Sequence, residues 1–207
     1  DKDGKPGYFA FPYKADVKGL IWYSPDNFKE AGYKVPKTQE ELADLEQKII
    51  ADGAKPWCIG LGSGGATGWP ATDWLEETVL GSFGGQVYDD WISHKVTFSS
   101  PQIQQAMKTV ADWLQNPAWV NGGTGNVKTI ATTTFQNAGL PILKNQCGML
   151  QQASFYEAQW PKGTKVGPDG AVFAFKLPAV NPSISTPVEG GGEFVTAFKD
   201  DPATQAV

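Results

Sequence analysis

The chain has 207 residues, 41% of them hydrophobic and 12% aromatic, which is enough apolar material for a packed core and excludes a disordered tail. Its net charge of −5 argues against nucleic acid as a partner, and because all 17 basic residues are lysine, the bidentate guanidinium that suits anionic ligands is missing. The single histidine, His94, leaves no pair for a zinc site, and no segment approaches the roughly 20 apolar residues of a membrane-spanning helix.

The first elements in chain order are a strand and a short helix. Residues 17–23 (VKGLIWY) are rich in apolar and β-forming side chains and predict a strand. Ser24 is a good N-cap, and the proline after it suits the first helical position, so a helix is expected over 25–31. Gly32 should end this helix.

The next elements begin with a capped amphipathic helix. Thr38 and Glu41 have the spacing of a capping box, and the apolar residues that follow predict a helix over 39–51. The apolar run 57–61 (WCIGL) predicts a buried strand, and the Gly-rich segment 62–70 predicts a loop. Further elements are expected in this order: a helix over 72–82, a helix from 101 that ends before Pro117, a helix over 129–138, and strands over 147–151, 171–177 and 193–198. Strands that alternate with helices predict an α/β fold.

The aromatic content suggests a class of ligand. Eight tryptophans exceed what a core of this size usually holds, since the indole N–H needs a partner when it is buried. A flat aromatic ring packs well on the apolar face of a sugar, and the many Asn, Gln, Thr and Asp side chains can bind its hydroxyl groups. The composition favours a neutral, hydroxylated ligand, although packing in the core is the simpler role for any single tryptophan.

Several long segments resemble one protein family. They are FPYKADVKGLIWYSPDNFKEAG, VPKTQEELADLEQKI, KPWCIGLGSGGATGWPATDWLEE, the helix after Ser100, and GGGEFVTAF. Together they are similar to the extracytoplasmic solute-binding proteins of ABC sugar importers, in the maltose-binding-protein-like group. WCIG, TGWPATDW and the turn QASF resemble its α-glucoside-binding branch. The resemblance implies a lobe like those of type II periplasmic-binding proteins, with a mixed sheet flanked by helices.

The same resemblance implies a division of the chain. Residues 1–16 would be a hinge and entry segment, 17–189 the second, C-terminal lobe, and 190–207 a crossover toward a first lobe that the chain lacks. The hinge itself is expected at 8–16 and 188–193. We expect a monomeric, periplasmic or cell-surface protein whose partners are a sugar and the membrane permease subunits, and whose signal peptide is not part of this chain.

By this resemblance, the sugar should lie against the loop 65–74. Trp69 follows a Gly-rich turn at the end of a predicted strand, a position typical of ligand contacts in α/β proteins, so we interpret it as a stacking platform. Packing in the core is the alternative for Trp69. Asp73 can accept hydroxyl hydrogen bonds or simply cap the helix that starts beside it. Trp74 is expected in the core.

The resemblance places further contacts after the strand 147–151. Gln152, Ser154 and Phe155 occupy the position of the family's aromatic and polar contacts. The sequence departs from the α-glucoside branch at Gln152, where that branch often has a basic residue. We therefore expect a changed polar contact at Gln152.

Hinge residues complete the expected site. Tyr13, Lys14 and Asp16 can reach a sugar from the hinge, or Lys14 and Asp16 can pair with each other. Gly191, in the middle of three consecutive glycines, lets the backbone approach the ligand closely or flex as the lobes move. These residues add polar groups and backbone to the aromatic contacts.

The only two cysteines, Cys58 and Cys147, fall in two predicted buried strands. The resemblance places both strands in the same sheet and the protein in an oxidising compartment, so a disulfide is expected. Two free buried thiols are the alternative.

Three functions fit these residues to different degrees. The leading one is capture of a neutral α-linked glucoside for a permease, with no catalytic residue and no cofactor. A glycoside hydrolase needs two carboxyl groups across one bond, and the candidates are Asp16, Asp73 and Glu76. Asp73 and Glu76, one helical turn apart, are more simply an acidic first turn. A cage for a quaternary amine needs several converging rings, of which the sequence places one or two.

Overall fold

The computed structural model describes residues 10–124, 126–185, 187–199 and 202. Its strands are β1 (Phe11–Val17), β2 (Leu20–Tyr23), β3 (Lys55–Cys58), β4 (Val120–Asn121), β5 (Cys147–Gln151), β6 (Phe173–Lys176) and β7 (Gly190–Val195). Its α-helices are α1 (Pro25–Ala31), α2 (Gln39–Ala51), α3 (Trp69–Phe83), α4 (Gly85–Ile92) and α5 (Pro101–Leu114). Of the expected entry and crossover segments, residues 1–9, 200–201 and 203–207 lie outside the described part.

Five strands form one mixed sheet in the order β4-β3-β5-β2-β6. β3 runs parallel to both of its neighbours, whereas β2 is antiparallel to β5 and β6. Trp22 on β2 pairs with Leu150 on one side and Ala174 on the other. The sheet is therefore mixed and flanked by helices, as the sequence predicts. Because β3 and β5 are parallel, the loops that follow them leave the same edge of the sheet.

The sheet separates two parts of the hydrophobic core. Ile21 and Tyr23 pack with the helices on one face, while Trp22 lies between them in sequence and packs on the other face, as the pleat of a strand requires. On the first face, Trp57 and Trp74 meet edge to face with ring centroids 4.9 Å apart. Trp74 is only 2% exposed, which confirms its expected place in the core. Among the described residues, no helix has the length and apolar character needed to cross a membrane.

Local sequence signals set the helix ends. Ser24 Oγ accepts a hydrogen bond from the Asn27 amide at the start of α1, and Gly32 ends this helix with a φ of 70°, where a side chain would be strained. At the start of α2, Thr38 Oγ1 accepts from the Glu41 amide. The Glu41 carboxylate reaches one residue beyond the usual capping box and accepts from the Lys37 amide at 2.6 Å. The predicted bounds of α1 and α2 are confirmed.

Four expected elements differ in the structure, one of them the strand over 193–198, which is found at Gly190–Val195. The strand over 17–23 is interrupted because Gly19 has a φ of 65°, which turns the chain between β1 and β2. The run 57–61 contributes only its first two residues to β3, which begins earlier, at Lys55. The helix over 129–138 is wrong: this segment forms turns and a short 3-10 helix, Phe135–Asn137, since its four threonines disfavour a helix.

Two helices depart from expectation in another way. α3 begins at Trp69 rather than near residue 72, because Gly68, with a φ of 109°, allows the turn that starts the helix, and Pro70 fits its first turn. Trp69 is thus a helical residue and not a loop residue. The sequence analysis does not predict α4, whose first residue, Gly85, is unfavourable in a helix.

Two further features complete the fold. β1 and β7 pair antiparallel in a separate two-stranded sheet, here called the ribbon, in which Val17 lies opposite Gly190 and Asp16 opposite Gly191. Cys58 and Cys147 are joined by a disulfide with their Cα atoms 5.7 Å apart, and both residues are buried. The disulfide links β3 to β5 inside the core, and the ribbon lies beside the end of β5.

Candidate ligand-binding cavity

A cavity of about 480 Å³ lies between the ribbon, the start of α3 and the segment that follows β5. Its lining consists of Lys14, Asp16, Lys18, Trp69, Asp73, Phe135, Ala153, Phe155, Gln159, Gly191, Gly192 and Glu193. The volume suits a small ligand, and the lining combines three aromatic rings with charged and amide groups. It is located where the chain leaves the carboxyl ends of two parallel strands, a usual place for binding in α/β sheets.

Three rings form one side of the cavity, here called the aromatic wall: Trp69, Phe135 and Phe155. The Trp69 ring centroid lies 5.0 Å from that of Phe135 and 5.9 Å from that of Phe155. Phe135 and Phe155 are 6.1 Å apart and nearly perpendicular, at 79°. These tilted contacts are favourable for aromatic pairs and hold the three rings in fixed orientations.

Phe135 joins the aromatic wall because two glycines let its segment approach the loop after β3. The Phe135 amide donates to the carbonyl of Gly62 at 2.9 Å. A Cβ atom at Gly60 would lie 2.8 Å from the backbone oxygen of Thr134, and one at Gly62 would lie 2.9 Å from that of Thr133. Only glycine permits this close contact, so the positions of Gly60 and Gly62 determine that of Phe135.

Polar groups of the ribbon face the aromatic wall. Asp16 accepts a hydrogen bond from Ser154 Oγ at 2.9 Å, and the same hydroxyl accepts from the Val17 amide. Lys14 Nζ lies 3.3 Å from the Asp16 carboxylate and 5.3 Å from the centroid of the Phe155 ring. The two residues thus form the pair that the sequence left open, and Lys14 also contacts the aromatic wall.

Asp73 is fixed by a lysine that the sequence analysis did not single out. Lys18 Nζ lies 2.9 Å from Asp73 Oδ1. Burial raises the pKa of Asp73, and the hydrogen bond and charge of Lys18 oppose this rise. Burial would lower the pKa of Lys18, but its hydrogen bonds to Glu76 and Asp73 raise it above its ordinary value. Lys18 is therefore protonated, and one carboxylate oxygen of Asp73 is engaged by it.

The cavity contains six of the nine expected contact residues: Lys14, Asp16, Trp69, Asp73, Phe155 and Gly191. Ser154 is not in the lining but orients Asp16. Tyr13 is 73% exposed on the ribbon and lies outside the cavity. Gln152 is only 4% exposed and also lies outside it; its backbone pairs with Leu20 and accepts from the Trp22 indole. Neither side chain belongs to the cavity.

Sequence reasoning missed several residues of the lining, among them Phe135 and Lys18. Phe135 was assigned to a helix, and only the β-branched threonines before it indicated otherwise. Lys18 was read as part of a strand, although a lysine inside the apolar run VKGLIWY is a signal that its charge needs a partner. No group of three or more His, Cys, Asp and Glu suited to a metal ion occurs in the described part of the chain.

A larger cavity, of about 950 Å³, lies elsewhere, beside the C-terminal ends of α1 and α2 and the starts of β3 and β5. Among the described residues of its lining, Tyr33 is the only aromatic one, and none of them is an expected contact residue. A sugar site needs ring faces as well as hydroxyl partners. The smaller cavity with the aromatic wall is therefore the better candidate.

The chain belongs to a known family. All 207 residues match the model of the family described as bacterial extracellular solute-binding protein. This match agrees with a lobe built on a mixed sheet, with a cavity at the edge of that sheet.

Individual relatives and a solved structure support the assignment. The chain is 43% identical over 207 residues to the alpha-glucosides-binding periplasmic protein AglE of Rhizobium meliloti (strain 1021), covering 99% of this chain and 44% of the relative. It is 32% identical over 192 residues to the osmoprotective compounds-binding protein GgtB of Synechocystis sp., covering 92% and 44%. The solved structure of a chitin oligosaccharide binding protein superposes with a TM-score of 0.77 at 18% identity, covering 96% and 47%.

These comparisons confirm the expected fold class, a type II periplasmic-binding-protein-like lobe. The chain spans less than half the length of the curated relatives it matches. At 18% identity, the solved structure supports the fold of this chain but not its ligand.

Proposed function

We propose that this chain is the second lobe of an extracytoplasmic solute-binding protein that captures a neutral α-glucoside for an ABC importer. The observation that carries the proposal is the aromatic wall facing polar groups across one cavity of about 480 Å³. The name of the relative AglE, an alpha-glucosides-binding protein, supports the choice of sugar. In this proposal the sugar is bound and released unchanged.

The aromatic wall suits the apolar face of a pyranose ring. Trp69 presents the largest ring and is only half-buried, so part of its face is free for a ligand. Asp16 and Asp73 lie in the same lining and have carboxylate oxygens that accept hydrogen bonds from sugar hydroxyls. The ring supplies contact area and the carboxylates supply orientation, which is the division of roles common in ligand cavities.

A hydrolase is less well supported. Asp73 and Glu76 both bind Lys18 Nζ, at 2.9 Å each, so the pair lies against one ammonium group and not across a bond to be cleaved. Asp16 is engaged by Lys14 and Ser154. None of these three carboxylates has the free, opposed geometry that glycoside hydrolysis requires.

A quaternary amine is the second candidate, because the aromatic wall brings three rings together. Such a cage attracts a cation through the ring faces. Here the Lys14 ammonium already lies 5.3 Å from the centroid of the Phe155 ring, the position that a cationic ligand would take on this ring. We therefore favour the neutral sugar.

The ribbon is the proposed hinge. It separates from the main sheet at Val17 and Gly190, near the expected borders at residues 16 and 190. Its outer side chains are exposed, Phe11 by 73% and Phe194 by 64%. We propose that a first lobe, encoded outside this chain, covers these side chains and that the permease binds the assembled protein.

A thermal-shift and calorimetry panel with maltose, trehalose, sucrose, glucose and betaine tests the ligand class. One lobe offers about half of the contacts of a two-lobe site, so halving a binding energy of about −8 kcal/mol predicts a Kd near 1 mM. Stabilisation by an α-glucoside at high millimolar concentration supports the proposal. Stabilisation by betaine alone, or release of free glucose in proportion to protein, would refute it.

A further inference from the structure

Lys18 holds three carboxylates together at the junction of the ribbon and the lobe. Its ammonium lies 2.9 Å from Asp73, 2.9 Å from Glu76 and 3.1 Å from Glu189. We call these four residues the Lys18 cluster. Three carboxylates use the three donors of one ammonium, so no donor of Lys18 remains for a further partner.

The cluster connects three different parts of the fold. Asp73 and Glu76 belong to the first two turns of α3, Lys18 links β1 to β2, and Glu189 directly precedes β7. The Lys18 amide also donates to the backbone oxygen of Glu189 at 2.9 Å. The base of the ribbon is thus held to itself by a backbone hydrogen bond and to α3 by side chains.

Negative charge exceeds positive charge around the cluster. Glu77 on α3 faces the same region and pairs with Lys176 of β6 at 2.6 Å. Burial, together with the nearby charges of Glu189 and Glu76, raises the pKa of Tyr88 of α4. Four carboxyl groups therefore share two ammonium groups in a region that is largely buried. Such an excess is costly unless one carboxyl group carries a proton.

The Glu189 carboxyl group is one candidate site for this proton. Glu189 is only 5% exposed, and its Oε2 atom is buried without a donor among the described residues. Its carboxyl group and that of Glu76 lie 3.1 Å and 2.9 Å from the same Lys18 Nζ, which makes the two carboxyl groups neighbours. A proton shared by the two carboxyl groups supplies the donor that Glu189 Oε2 lacks.

We infer that Glu76 and Glu189 share one proton over Lys18 and that this proton fastens the base of the ribbon to α3. When the proton leaves, the buried Glu189 carboxylate faces the partly buried Glu76 carboxylate, and the base of the ribbon separates from α3. Burial and the hydrogen bond with Glu76 raise the pKa of Glu189 to about 8, against the charge of Lys18. The fastened form therefore binds a proton that the open form releases, and it weakens as pH rises from about 4.5 through about 8.

The fastening would couple the ligand cavity to the proposed hinge. Asp73 belongs to the Lys18 cluster and lines the cavity, while Glu189 positions the ribbon. Movement of the ribbon would thus change the position of Lys18 and with it the carboxylate that faces the ligand. This consequence rests on the proposed function, whereas the fastening itself needs no sugar for its test.

Native-state hydrogen exchange of the Lys18 amide measures the fastening directly, because this amide donates to Glu189. After correction for the intrinsic effect of pH on exchange, we expect its protection to fall by up to about tenfold for each pH unit between about pH 6 and 8. The amide of Ile59, which donates to a carbonyl in the lobe core, is the internal control and should not follow this slope.

Two variants remove the proton dependence independently. Glu189→Gln and Glu76→Gln each leave a permanent donor in the pair, so the slope at Lys18 should disappear in either one, and if one variant fails to fold the other decides. Glu157→Gln, which changes an exposed carboxylate outside the cluster, should keep the slope. A protection of Lys18 that is independent of pH in the unmodified chain, or a slope that persists in the folded Gln variants, would overturn the inference.

Discussion

Two tryptophans on the same helix distinguish ligand contact from core packing. Trp69 and Trp74 are both on α3, but Trp69 faces the cavity and Trp74 is 2% exposed between Trp57 and Trp113. Each is changed to alanine, so the removed side chain is the same and only its surroundings differ. This makes Trp74→Ala a matched control for Trp69→Ala.

The expected magnitudes follow from these surroundings. Trp74→Ala leaves a void in the core and should lower the free energy of unfolding by about 3–5 kcal/mol. Trp69→Ala removes two ring contacts worth about 0.5–1.5 kcal/mol each beyond their buried area, and its exposed face loses little. It should therefore cost about 1–3 kcal/mol of stability. Loss of a central aromatic anchor should weaken sugar binding by about 2 kcal/mol, or roughly thirtyfold.

Urea unfolding gives the stability of each variant, and calorimetry at millimolar sugar gives its affinity. We expect Trp69→Ala to unfold cooperatively and to show no measurable heat of binding, whereas Trp74→Ala loses mainly stability. If Trp69→Ala binds sugar within twofold of the unmodified chain, the aromatic wall is not the ligand contact. A stability loss at Trp69 equal to that at Trp74 would assign Trp69 to the core.

Two further predictions concern stability. Burial raises the pKa of Glu46 to about 7, although Trp57 donates to it at 2.7 Å, so the folded chain holds a proton that the unfolded chain releases. The free energy of unfolding should fall by up to about 3 kcal/mol between pH 5 and 8, and Glu46→Gln should reduce this fall. If the melting temperature depends on pH equally in the variant and in the unmodified chain, the prediction is contradicted. Reduction of the Cys58–Cys147 disulfide, with a sequence separation of 89, should cost about 4–5 kcal/mol. Alkylation of the denatured, unreduced chain should add no label, and two labels would show free thiols.

Elements with strong local signals could be predicted from the sequence. α1 and α2 have explicit caps, and β5 is a short apolar run with clear borders, so their bounds agree with the structure. The start of α3 was misplaced because a Gly-rich run predicts a loop, while the backbone of Gly68 permits a helix start that no local pattern announces. Local sequence therefore determines the bounds of elements with clear caps or borders, whereas tertiary contacts determine the bounds of the others.

Only some of the residues that line the cavity could be predicted from the sequence. Trp69 follows a predicted strand, where α/β proteins bind ligands, while Asp73 and Phe155 were indicated by the family resemblance. Phe135 enters through a long-range contact with Gly62, and Lys18 through ion pairs with residues more than 50 positions away. Such contacts leave no periodic signal in a single sequence.

The central claim is that the cavity bordered by Trp69 binds a neutral α-glucoside. The most direct measurement is an NMR titration of the eight tryptophan indole N–H signals with maltose and trehalose into the millimolar range. Our account predicts a saturable shift of the Trp69 signal, while Trp57 and Trp74 in the core stay unchanged. A Trp69 signal that does not respond to any of these sugars, or a response confined to residues around the larger cavity near Tyr33, would contradict it.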